Sequence, residues 1–516
     1  MKFLSCIAAF AFVDLSVAQK VVKHNFDILR GSSFEKAQKY QTPQFVKRDD
    51  DEYEFFINNM ETYYQMNISV GTPGQDMAVL LDTGSSDLWL YDSAAKYCSK
   101  LATSTSSVAT ASTDLLYGAT PSDFINPKFD NCGGIGGFDS DKSSTFHRNK
   151  TEFLIKYGDN TTAEGYWGRD LVTIGDTKIS NLTFAVAAFT NSTPVFGIGL
   201  PGAETTFGEY FIASENYTYE NLPAKMATEG LINTPAYSLF LNDVDEDVGS
   251  VLFGGVDHSK YSGNLTTVKV VDWDGGLQVT VSEIDIQKGD KVAAFAQGKY
   301  LALLDSGTTL TYLPNELYET FQEFTNATWD DNIEQYYYDC DEIADTTISF
   351  DFTGAKIEVP LKSFTFKQFG KCVSGIQRYD YDDVTYFILG DNFLRNAYVV
   401  YDLENLEISL AQAKYNGGKE DVEEITKKGV PSAVKAKYYS DTYIIGEHDV
   451  TDATSLLYHS ATPVVSATTT SSNSKATGTA SSSSASSSSK GSASSNSLSS
   501  SLLVSVFGLL SMLSFA

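Results

Sequence analysis

The stretch AVLLDTGSSDLWL, residues 78–90, decides how this chain is read. An apolar run delivers one carboxylate, Asp82, and then a bend made of Thr83, Gly84, Ser85 and Ser86. A buried strand that ends on a charge needs a use for it, because an unpaired buried carboxylate is costly. The same corner returns in LALLDSGTTLTYLP, residues 301–314, around Asp305, with Ser306, Gly307 and Thr308 behind it. Glycine lets each bend turn sharply and brings backbone N–H groups to the carboxylate. The hydroxyls of Ser85 and Thr308 can donate to it as well. Two such corners in two similar halves meet across a pseudo-twofold axis. Carboxyl groups that close cannot both ionise, so the pair shares one proton. One carboxylate then activates a water as general base, and the protonated partner donates to a carbonyl oxygen.

The surroundings are those of a mostly β protein. Short runs rich in Val, Ile, Tyr, Phe and Thr alternate with Gly and Asn/Asp turns, as in YYQMNISVGTPGQ, TEFLIKYGDN and AYVVYDLENLEISLAQA. The clearest helical window is PNELYETFQEFTNATW, residues 314–329, with Pro314 placed to start it. Residues 99–131 are small and polar and read as a mobile loop.

The 516 residues are enough for two lobes of ordinary domain size. The net charge of −29 argues against a nucleic-acid partner. Residues 1–18 read as a secretory signal, with Lys2, the apolar core FLSCIAAFAFV and SVA before Gln19. Residues 19–48 carry seven Lys/Arg against two Asp/Glu and end in the dibasic pair Lys47–Arg48. That is the composition of a pro-peptide held to an acidic body by charge. The catalytic body follows at 49–414, with lobes at about 60–235 and 236–414. Residues 415–491 read as charged linker and Ser/Thr-rich stalk. Residues 492–516 end apolar and read as a GPI-attachment signal that is removed, with Gly491 as the attachment residue.

Of five cysteines, Cys6 leaves with the signal. The remaining four allow three connectivities, and sequence neighbours suggest Cys98–Cys132 and Cys340–Cys372, one bridge per half. No CxxC or paired-His spacing supports a metal, and no cofactor is implied. Sequons at Asn149, Asn181, Asn191, Asn216, Asn264 and Asn326 are candidates for N-glycans. Asn67, in the strand entering the cleft, and Asn160, on a turn, also start sequons and are expected to be empty.

With both aspartate corners in place, the chain resembles the pepsin-type aspartic proteases, and most closely the fungal yapsins and GPI-anchored secreted aspartyl proteinases. The resemblance covers residues 60–414. DTGSSDLW and DSGTT carry it, followed by GTPGQ (71–75), VFGIGLPG (195–202) and FILGDNFLRNAYVVYD (387–402). The last two look like segments that thread behind each active-site loop. IKYGDNTTAEGYWG (155–168) resembles the flap hairpin, with Tyr157, Gly158 and Asp159 over the cleft and Trp89 beside Tyr157. The resemblance implies a bilobal fold of two six-stranded β-barrel-like lobes with the active-site cleft between them. It implies a monomeric endopeptidase acting on peptides, and cleavage after Lys or Arg. Asp159 at the flap tip and the acidic body agree with basic substrates. Ser306 stands where many relatives have Thr, which keeps the hydroxyl. A different class of function, a surface glycoprotein on a protease-like fold without activity, fits stalk and anchor equally well. The intact pair Asp82/Asp305 favours the enzyme.

Overall fold

The computed structural model describes residues 20–29, 63–95, 136–158, 161–207, 216–246, 248–271, 275–331, 335–368, 370–379, 386–444, 450–452 and 459–460. Residues 462–516 lie outside the described residues. The strands that position the site are, in chain order, β1 (Val22–Leu29), β2 (Tyr63–Val70), β3 (Gln75–Asp82), β4 (Trp89–Tyr91), β5 (His147–Lys156), β6 (Thr162–Ile174), β7 (Thr177–Thr190), β8 (Val195–Gly197), β9 (Ala236–Phe240), β10 (Val248–Phe253), β11 (Gly255–Asp257), β12 (Tyr261–Lys269), β13 (Gln278–Lys288), β14 (Lys291–Leu304) and β15 (Thr311–Pro314).

β2 shows why these segments become strands. Tyr64, Met66, Ile68 and Val70 are buried, and Gln65, Asn67 and Ser69 alternate with them toward solvent. β2 turns into β3 with Val70 opposite Gln75. The end of β3 then pairs in parallel with β8, Leu80 to Val195 and Asp82 to Gly197. The second half repeats the arrangement. The end of β14 pairs in parallel with the strand Tyr386–Leu389, Leu301 to Tyr386 and Leu304 to Leu389. Both expected threading segments therefore lie beside the strand that delivers an aspartate. This is the mostly β, bilobal architecture expected from the sequence.

Helix is scarce among the described residues. The window at 314–329 forms a helix over Asn315–Phe324, shorter than its sequence pattern. Pro314 is its N-cap and also closes β15. The helix stops because Thr325 Oγ1 donates back to the Phe321 carbonyl and Asn326 takes a positive φ of 62°. The disulfide Cys340–Cys372 is present, with Cα atoms 5.3 Å apart. Cys98 and Cys132 lie outside the described residues, as does the 99–131 loop.

Two segments carry structure that their sequence reading did not describe. The described part of the expected pro-segment is β1, which sits in the middle of the large sheet between β10 and β2. Its buried side chains, His24, Phe26 and Ile28, alternate as a half-buried strand requires. The chain read as linker from 415 also continues the fold. Val422–Glu424 pairs with β11, and Val434–Lys435 lies parallel to β12. Ile425, Ala436 and Tyr443 are buried. The Tyr443 N–H donates to Thr280 Oγ1 at 2.8 Å. Residues 450–452 and 459–460 pair with β14. The open ladder sides of β12 and β14 supply backbone partners that a charged sequence does not advertise.

His24 gives a pH prediction. Burial lowers its imidazole pKa from the ordinary 6.5 to about 4. The folded state thus prefers the neutral ring. Its contribution is fully present above pH 6.5 and is lost as pH falls toward 4. Thermal melts of the uncleaved chain between pH 7 and 4 should show the wild-type sequence losing on the order of 2 kcal/mol more than His24→Phe. Parallel curves would show that the ring's charge is irrelevant.

Candidate active site

β3 and β14 bring Asp82 and Asp305 to one place from opposite halves. Each carboxylate is held flat by its own turn. Asp82 Oδ1 accepts from the Gly84 N–H at 2.7 Å, and Oδ2 accepts from the Ser85 hydroxyl. Asp305 Oδ1 accepts from the Gly307 N–H at 2.8 Å, and Oδ2 from the Thr308 hydroxyl at 2.6 Å. The turns face one another closely. A methyl group on Gly84 would lie 2.5 Å from Asp305 Oδ1, and one on Gly307 would lie 2.4 Å from Asp82 Oδ1. Only glycine fits at either position.

Behind the carboxylates the two halves exchange hydroxyls. Thr83 Oγ1 donates to the Leu304 carbonyl at 2.7 Å and accepts from the Ser306 N–H at 3.0 Å. Ser306 Oγ donates to the Leu81 carbonyl at 2.9 Å and accepts from the Thr83 N–H at 3.2 Å. The serine at 306 thus donates once and accepts once, as Thr83 Oγ1 does across the same junction.

Asp82 and Asp305 are 5% and 8% exposed. Burial raises the Asp82 pKa well above the ordinary carboxylate range, and the negative charge of Asp305 raises it further. Hydrogen bonds from Ser85 and Gly84 work the other way. The pair can therefore keep one proton at pH values where a free aspartate has lost its own.

The hairpin read from the sequence as the flap is built by β5 and β6, closed by the Tyr157 N–H donating to the Thr161 carbonyl at 2.9 Å. Trp89 Nε1 donates to the Tyr157 hydroxyl at 2.7 Å. Trp89 is fully buried among Tyr91, Phe153 and Trp167. Gly158 occupies the turn with open space around it. Asp159 and Asn160 lie outside the described residues.

Sequence reasoning gave no role to several buried acids near this centre. Asp391, in the Leu-Gly-Asp corner after the strand Tyr386–Leu389, donates its N–H to the Thr308 carbonyl at 2.8 Å. Burial raises its pKa strongly. Asp87 accepts from the Tyr219 hydroxyl at 2.6 Å and the Thr205 N–H at 2.9 Å. Glu204 accepts from the Tyr219 N–H at 2.8 Å, and burial pushes its pKa up to about 9. Asp391 had a signal, an apolar strand ending on an acid. Glu204 and Tyr219 had none, since they meet Asp87 only through the fold.

Among the sequons, Asn149, Asn181, Asn216, Asn264 and Asn326 are exposed. Asn191 is half-buried, and its Oδ1 accepts from the Thr162 N–H at 2.7 Å. Lys47, Arg48 and Gly491 lie outside the described residues. No group of three or more metal-ligating side chains occurs among the described residues. Nor is any described helix long and apolar enough to cross a membrane.

Comparison with known proteins agrees with this geometry. The eukaryotic aspartyl protease family matches residues 63–413. Aspartic proteinase MKC7 of Saccharomyces cerevisiae is 39% identical, over 84% of this chain and 79% of its own. Aspartic proteinase yapsin-3 of the same yeast is also 39% identical, over 80% and 77%. Secreted aspartic protease 9 of Candida albicans is 30% identical, over 83% and 92%. In fold, the chain is similar to the crystal structure of the aspartic proteinase from Irpex lacteus, with a TM-score of 0.54, covering 78% of this chain and 100% of that one at 17% identity. Two interlocked aspartate turns, in a sequence matched across both halves, place this chain in the eukaryotic aspartyl protease family as a pepsin-type aspartic endopeptidase.

Proposed function

We propose that this endopeptidase works at the cell surface and cuts peptide bonds after Lys or Arg in wall, surface or secreted proteins. The observation that carries this reading is the likeness to a yapsin at 39% identity in a chain of net charge −29. The yapsin resemblance implies basic-residue specificity, and an acidic enzyme attracts basic substrates. The signal segment, the Ser/Thr stalk and a GPI signal with attachment at Gly491 support tethering outside the membrane. A relative bearing the name "secreted aspartic protease" supports the secretory route. Cleavage at Lys47–Arg48 frees the body from its pro-segment, and the enzyme acts as a monomer.

The test is a peptide library digested across acid pH by the secreted chain, with cut bonds mapped by mass spectrometry and Asp82→Asn as control. Cuts after Lys and Arg that vanish in the control are expected. Cuts between bulky apolar residues would leave the endopeptidase standing and end the specificity claim.

A further inference from the structure

We infer that Tyr219 is a positioning residue for the hydrolysis. Its hydroxyl holds the turn that presents Asp82, and its ring holds the hairpin read as the flap.

The hydroxyl end is built into the turn. Asp87 follows the Asp82 turn and is fully buried. Its carbonyl accepts from the Gly197 N–H at 3.0 Å. Beside that bond, the Ile198 N–H donates to the Asp82 carbonyl at 2.9 Å and the Gly199 N–H to the Ser85 carbonyl at 2.8 Å. A methyl group on Gly197 would lie 2.5 Å from the Asp87 nitrogen, so the two segments meet without slack. Residues 82–87 and 197–199 therefore move as one piece. Tyr219 grips that piece through the Asp87 carboxylate at 2.6 Å. Asn221 grips it again, donating from Nδ2 to the Gly199 carbonyl at 2.9 Å.

The ring end is built into the hairpin. The Tyr219 ring lies 5.3 Å from Trp167 of β6. Trp167 packs edge-on against Phe153 of β5 at 5.2 Å. Phe153 lies 6.5 Å from Trp89, whose indole N–H holds the Tyr157 hydroxyl. Trp89 follows Asp87 closely in the chain, so the contacts close a circuit: Asp87, Trp89, Phe153, Trp167, Tyr219 and back to Asp87. Close packing passes a shift at one member to the others. The backbone of Tyr219 is fixed as well, since its N–H donates to Glu204 Oε2 at 2.8 Å. The Tyr217 N–H donates to the Thr206 carbonyl at 2.9 Å. A space-filling role needs none of this polarity. Phenylalanine would cover Trp167 equally well, and an apolar residue at 87 would avoid the cost of burying a carboxylate. What the polar pair adds is a fixed distance between the turn and the aromatic row.

The experiment measures kcat and KM of the secreted enzyme on a peptide that the wild type cuts. Rates are divided by the concentration of active sites, titrated with a tight-binding transition-state analogue. Tyr219→Phe keeps the ring and removes the bond to Asp87. It should lower kcat about three- to tenfold, the worth of one buried hydrogen bond, and leave KM within about twofold. Tyr219→Leu also takes the ring from Trp167 and should in addition raise KM about threefold or more. In Asp87→Asn combined with Tyr219→Phe, the kcat loss should match that of the more damaging single variant, because both changes act on one bond. Unchanged kcat in Tyr219→Phe overturns the inference. So does a loss that disappears on division by active sites, which is what a purely structural role produces. Losses that multiply in the paired variant overturn it too. An unchanged KM in folded Tyr219→Leu removes the hairpin end of the link.

Discussion

Asp82→Asn lowers the turnover rate by about 10³-fold or more while the protein stays folded. The loss is large because the amide cannot share a proton with Asp305, and general acid–base steps of this kind contribute on the order of 10²–10⁴-fold. The fold survives because asparagine keeps the shape. Its Oδ1 still accepts from Gly84, and the like-charge contact with Asp305 disappears. The variant also changes how stability depends on pH. The Asp82 carboxyl titrates higher in the folded state than in the unfolded one. Its contribution is therefore present at acid pH and is lost as pH rises through the folded value. Wild-type stability should fall more steeply than that of Asp82→Asn as pH is raised from 4 to 7. Thermal melts and single-turnover kinetics on the two proteins check both claims. Residual activity within tenfold of wild type would show that a group other than this pair carries the chemistry.

Ending the chain at Lys414 prevents folding, whereas ending it at Ile444 does not. The shorter chain keeps every residue of the family match, which stops at 413. It loses Ile425, Ala436 and Tyr443 from the interior, at 0%, 6% and 6% exposure. It also loses the strand pairs on β11 and β12 and the bond from Tyr443 to Thr280. Fully burying a large apolar side chain stabilises by about 1.5–3 kcal/mol, so the deletion costs on the order of 5 kcal/mol. That is comparable to the whole stability of many domains. Secretion yield and melting temperature of the two truncations decide the matter. Equal values would mean that the extension merely rests on the surface.

What could be read in the sequence follows from how local each feature is. The two aspartate turns were legible because their parts, acid, glycine and hydroxyls, lie within four residues of one another. The hydroxyl exchange between Thr83 and Ser306 was half legible: the residue types were visible, but partners 223 positions apart were not. The segment Val22–Leu29 carried a period-2 signal at His24, Phe26 and Ile28, which the net positive charge of residues 19–48 and their dibasic end outweighed. The extension after 414 carried no periodic signal. Its three buried residues are widely spaced among lysines and glutamates, and each is buried by a strand formed far earlier in the chain. Glu204 and Tyr219 stayed hidden for the same reason, since nothing near them in sequence explains why an acid should be buried there.

The crossed hydroxyls of Thr83 and Ser306 also bear on safety within the cell. Each half completes the backbone of the other half's turn, so neither half alone has a finished turn or a second carboxyl with which to share a proton. A ribosome that stalls midway, or a degradation product that retains one lobe, releases no hydrolase. The capacity to cut appears only when the last third of the chain has come home, and it disappears as soon as the halves part. A cell that makes such an enzyme inside its own secretory membranes is guarded by geometry before any inhibitor is needed.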